Sequence, residues 1–211
     1  MATRVFQFGA GLAMAVAMTL PALAGPPLIC HSFEINGARS LPWSGSADWR
    51  GVDKKYDVSR LTADTLALLQ PDTPVLVRME TLRRATVYAV WGKNEGRFGT
   101  PVKGSPVAED LLAKVMARAK ESPAALFDAG YLMASLQQAS YESSTVDAAT
   151  AYEMVRKAAE TARSAEMEFA AALMTSGQPR NTYEEHLRRA RAGASGDGLL
   201  AKNLSTHISS R

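Results

Sequence analysis

The sequence predicts an all-α protein, an array of antiparallel helical hairpins or an irregular helical domain, preceded by an irregular N-terminal arm. Two observations predict the helices. From about residue 59 onward, apolar residues recur at three- and four-residue spacing in successive short runs. Each run opens on recognisable start chemistry and closes on a Gly, Pro or Ser cluster. A third observation excludes the alternative, because no convincing alternating run bounded by hairpin turns is present.

The first segment is a predicted signal, residues 1–24. Arg4 supplies one positive charge, Val5 to Ala24 is free of charge, and the run ends in Ala22-Leu23-Ala24. Small residues at both ends of that triplet fit a signal peptidase, so cleavage is expected before Gly25. An uncleaved anchor is the competing reading, since about 20 apolar residues span a bilayer. The run is rich in Ala, Gly and Met, however, and Pro21 interrupts a helix just before the triplet. Bulky Ile29 precedes Cys30, which argues against lipid attachment there. No second stretch is long and apolar enough to span. The expectation is export to the periplasm or the extracellular space, with no stable membrane insertion after cleavage.

Residues 25–56 form the predicted arm. Pro26, Pro27 and Pro42, several glycines, and Phe33, Trp43 and Trp49 fall here without a sustained helical period. These aromatics should lie on the helical body or across a groove in it.

The helical domain, residues 57–211, reads element by element. Leu61, Leu68 and Leu69 form a stripe that stops at Pro71. Thr73-Pro74 gives an N-cap and a proline at the first helical position, ahead of Val75, Met79, Leu82, Thr86 and Val90, a helix expected to bury one face until Gly92. Residues 92–106 read as a loop. Ser105-Pro106, Ser122-Pro123, Asp147 and Ser164 each precede an amphipathic run. Asn181 with Glu184 suggests a capping box, and Leu199, Leu200, Leu204 and Ile208 mark a last helix.

Composition removes some function classes. With 24 Lys+Arg against 21 Asp+Glu the net charge is only +3, which gives no case for nucleic-acid binding. One cysteine excludes an intramolecular disulfide, so stability must come from packing. The glycines between Gly92 and Gly104 follow no strand and lack a phosphate-loop ending, so no nucleotide site follows.

The order Arg156-Lys157-Ala158-Ala159-Glu160, Ala165 through Leu173, then Thr182 through Ala190 resembles the Sel1-like and tetratricopeptide helical-hairpin repeats. That resemblance spans roughly residues 107–209, with weaker copies around Ala117 to Tyr131 and Ala192 to Leu204 at unequal offsets. It implies Ala158, Ala170, Ala171 and Ala190 as close-approach positions, Phe169 and Tyr183 as filling aromatics, and a concave side that binds a partner. The arm is also similar to that of uncharacterised exported bacterial proteins, which implies no activity.

The expected function is therefore non-catalytic: an exported helical scaffold binding a protein or peptide partner in the cell envelope, without a cofactor. Trp43 and Trp49 are the candidate contacts, with Arg78 and Arg83 as candidate holders of a peptide carboxylate. Glu80 and Arg84, at i and i+4, should pair. The alternative is an envelope metal or haem binder using Cys30 and His31, since thiolate and imidazole ligate soft and borderline metals. Adjacent residues aim poorly at one ion, and a zinc site would need further ligands beyond His186 and His207. Glu184-Glu185-His186 is not expected to act as one acid–base group, because consecutive helical residues point about 100° apart.

Overall fold

Helices dominate, as the apolar period requires. The computed structural model describes residues 27–46, 48–92, 100–177 and 180–208, so the predicted signal segment lies outside the described residues. Among these, a 3-10 turn (Val58–Arg60) leads into α1 (Leu61–Leu68), α2 (Val75–Trp91), α3 (Pro106–Ala117), α4 (Pro123–Gln138), α5 (Ala148–Ala162), α6 (Ala165–Met174), α7 (Arg180–Ala192) and α8 (Leu199–Ile208). No described helix is long and apolar enough to cross a membrane.

Most starts follow from the residues that precede them. Ser105, Ser122, Asp147 and Ser164 each accept a hydrogen bond from the amide three residues on, at 3.3, 3.1, 2.7 and 3.3 Å. Each satisfies one of the amides a helix leaves open at its first turn. Pro106 and Pro123 occupy the first turns, where a missing N–H costs nothing.

Two starts differ from expectation. Pro74, not Thr73, is the residue flanking α2. The Thr73 hydroxyl accepts from the Gln70 amide at 3.1 Å and donates to the Leu68 carbonyl at 2.8 Å, so it closes the turn after α1. Helix α7 already includes Arg180, which places Asn181 inside the first turn rather than at a cap.

A larger difference concerns α2, expected to bury one face. Fifteen of its seventeen residues are buried, so it is the central helix of the fold. It packs against α1, α3, α4 and α6. The side that the sequence pattern leaves to solvent is covered by the non-helical residues 28–46 and 48–53, which bond to Glu80, Thr81, Arg83, Arg84 and Tyr88.

Elsewhere the packing uses small residues. Helices α4 and α5 approach so closely that a Cβ on Gly130 would stand 2.7 Å from the Ala151 carbonyl oxygen. Helix α6 packs on α5 and α7, and Ala158, Ala170, Ala171, Ala190 and Phe169 are all buried there. A two-residue parallel bridge, β1 (Val102–Lys103) with β2 (Tyr141–Glu142), falls where the sequence shows no alternation; two residues are too few to carry a period.

The last helix meets residues near the start of the described chain. Asn203 on α8 accepts from the Glu34 amide and donates to the Glu34 carbonyl, both at 2.9 Å.

Candidate functional site

The residues singled out from the sequence fall into two places. Cys30, His31, Trp43, Trp49 and Arg83 gather along the seam between residues 28–46 and 48–53 on one side and α2 on the other. Arg78 lies apart from them.

Glu80 is the centre of the seam. It sits three residues before Arg83 and four before Arg84, so both guanidinium groups reach it on the helix surface. Arg83 donates through Nε and Nη2 at 2.7 and 2.8 Å, Arg84 through Nε at 2.7 Å, and the Phe33 amide at 3.0 Å. Burial by itself would raise the Glu80 pKa, but the hydrogen bonds and charges of Arg83 and then Arg84 hold it below the ordinary value. The remaining donors reach backward in sequence: Arg83 Nη1 to the Ile29 carbonyl at 3.1 Å, and Arg84 Nη1 to the Leu41 carbonyl at 2.5 Å. Glu80 and Arg84 thus pair as their spacing implies, and Arg83 joins them in a buried ionic network.

Trp43 lies over this network. The Arg83 and Arg84 guanidinium carbons stand 4.7 and 5.6 Å from its ring centroid. Its indole N–H donates to the Ser46 carbonyl at 2.7 Å. Gly51 is required beneath it, because a Cβ there would sit 2.0 Å from the indole nitrogen. Trp49 packs edge-on against Trp91 at 5.5 Å, with Arg50 6.0 Å from its ring. Both tryptophans are half-buried.

Beneath these lie Cys30 and His31. The Cys30 thiol is buried and unoxidised, and desolvation outweighs the Arg83 charge to push its pKa up. It is therefore a thiol, not an activated thiolate. His31 is pushed down by burial and then by Arg83. Its neighbour is His207 of α8, with ring centroids 6.2 Å apart, and His207 stacks on Phe33 at 4.6 Å. No group of three or more His, Cys, Asp or Glu able to hold a metal occurs among the described residues.

Arg78 ties α2 to α4. It donates to Asp128 at 2.5 Å, to the Thr73 carbonyl at 2.8 Å, and to the Gln70 carbonyl. At 2% exposure it meets no solvent-borne ligand, and Arg83 at 0% does not either. Burial pushes Asp128 up to about 7 against the opposing charge and hydrogen bond of Arg78.

A second cluster escapes sequence reasoning. Tyr152 on α5 bonds His186 Nε2 at 2.8 Å, and His186 Nδ1 bonds Glu168 of α6 at 2.6 Å. Arg189 adds a contact to Glu168 at 3.4 Å. Glu184 and Glu185 are exposed while His186 is buried, so the three do not converge. The available signal was periodicity: His186 is four residues before buried Ala190, and Glu168 stands between buried Met167 and Phe169. Burial raises the Tyr152 pKa, so the phenol stays protonated and the chain links three helices.

No protein-family model, curated protein or solved structure matches this chain.

Proposed function

We propose that the chain is an exported, non-catalytic helical scaffold that binds a protein or peptide partner in the cell envelope. The carrying observation is the pair of half-buried tryptophans, each clamped by its neighbours yet reaching the surface. Trp43 is fixed by Arg83, Arg84 and the Ser46 carbonyl, Trp49 by Trp91. Aromatic side chains held this way lose little freedom on binding, which is why tryptophan and arginine dominate interface energetics. Next to them in the chain, a cleft of about 220 Å³ is lined by Arg39, Leu41, Pro42, Arg60, Asp64 and Leu68. Arg39 and Arg60 are exposed, Arg60 giving only one Nη2 bond to Asp64 at 3.2 Å, and suit a peptide carboxylate better than buried Arg78 and Arg83.

The hairpin-repeat resemblance is kept in this proposal for α5, α6 and α7, which pack in sequence order as stacked hairpins do. The segment before α1 acts in it as a strap presenting the tryptophans.

Affinity capture from an envelope extract tests the reading, with Trp49→Ala beside the surface control Lys157→Ala. A stoichiometric partner lost with Trp49→Ala and kept by the control is expected, with both variants still folded by circular dichroism. Equal capture by both variants overturns it.

A further inference from the structure

His31 and His207 present an arrangement that partner binding does not use. The Nε2 atoms of both rings are buried and have no hydrogen-bond partner. His207 is 8% exposed, stacked on Phe33, with Phe169 at 5.9 Å on another side. A neutral imidazole whose Nε2 finds no donor or acceptor among its neighbours can present the lone pair of that nitrogen to a ligand. Burial lowers both pKa values, that of His207 to about 4, so both rings are neutral ligands at neutral pH.

We propose that His31 and His207 form a two-imidazole site for a monovalent d10 cation, copper(I), bound between residues near the start of the described chain and the last helix. The spacing permits it. With metal–nitrogen bonds of about 2.0 Å and each centroid roughly 1.1 Å behind its nitrogen, two rings that both turn Nε2 to one ion stand at most about 6 Å apart; the observed separation is 6.2 Å, with the ring planes 79° apart. The ligand set fits as well. Two neutral nitrogens among phenyl rings do not satisfy a divalent ion, which takes four or more ligands and charge compensation. The charges acting on the rings are Arg83, Asp48 and Glu80, and Arg83 is already paired with Glu80. The proposal differs from a Cys30–His31 site: Cys30 is a neutral buried thiol, and the second ligand comes from α8.

The test uses silver(I), which shares the charge and d10 shell and needs no reductant, added as nitrate to the full chain carrying Cys30→Ala so that the thiol cannot compete. One silver per chain is expected by native mass spectrometry. Binding should weaken about tenfold or more when either His31→Gln or His207→Gln is added, and stay unchanged with His186→Gln. Because His207→Gln alters a packed ring, the Cys30→Ala chain is also followed by imidazole nitrogen NMR. Two of the three Nε2 signals should move at one equivalent, with His186 unmoved. Failure of Cys30→Ala to retain silver, equal affinity in the histidine variants, or unmoved imidazole signals would each overturn the site. None of these outcomes bears on the tryptophan surface.

Discussion

The seam between α2 and residues 28–46 and 48–53, and the stack α5–α7, are both buried, but they are held mainly by different means. The seam is ionic and long-range in sequence: one carboxylate, Glu80, gathers Arg83, Arg84 and the Phe33 amide, and the arginines pass on to carbonyls of residues 29 and 41. The stack is mainly apolar, built on alanines that let neighbouring helices touch, with one polar chain, Tyr152–His186–Glu168, running across it. Buried ion pairs add little net stability over an apolar replacement, yet losing one member strands a charge. Close-packed alanines fail differently, through excess volume. The seam should therefore be intolerant of charge changes and the stack intolerant of size changes.

Glu80→Gln is the sharpest way to break that contrast. It leaves Arg83 buried without its counter-charge and should cost about 3–5 kcal/mol in denaturant unfolding. A loss below about 1 kcal/mol would mean that water already enters the seam.

Acid gives a second probe of the same region. His207 has a folded pKa of about 4 against 6.5 unfolded, so the folded state binds fewer protons between those values. Its contribution is complete above pH 6.5 and is lost as pH falls towards 4, about 3 kcal/mol in all. His207→Phe should flatten that part of the stability–pH profile.

At the edge of the stack, where α4 packs on α5, Gly130→Ala forces a methyl onto the Ala151 carbonyl and Met154 of α5. Overpacking of about 1–3 kcal/mol is expected in thermal unfolding. The smallest effect is at a cap: Ser122→Ala removes the acceptor for the Ala125 amide and should cost about 1 kcal/mol. A Ser122→Asp variant should restore it.

The same contrast explains what was legible from sequence. Local rules are written locally, so the caps at Ser105, Ser122, Asp147 and Ser164, the end of α2 at Gly92 and the last helix were all readable. Ala158, Ala170, Ala171 and Ala190, which the hairpin-repeat resemblance implies as close-approach positions, are buried. What escaped was long-range. Arg78, Glu80 and Arg83 read from sequence as a solvated face or an inter-helix salt bridge; Arg78 with Asp128 is the latter, but nothing near them in sequence shows that Asp128 and residues 29–33 will cover them. His186 finds Glu168 and Tyr152, eighteen and thirty-four residues away. Thr73 misled because a threonine before a proline fits a cap and a turn equally well. The candidate site was half legible for the same reason: the tryptophans stood out by type, while the ring contact of His31 with His207 depends on α8 folding back.

The central claim is that the non-helical residues near the start of the described chain belong to the fold's core through Glu80. Native-state hydrogen exchange at the Phe33 amide tests it most directly, since that N–H is buried and bonded to the Glu80 carboxylate at 3.0 Å. The account predicts protection comparable to the central amides of α2, exchanging only with global unfolding. Rapid exchange at Phe33 while α2 stays protected would contradict it.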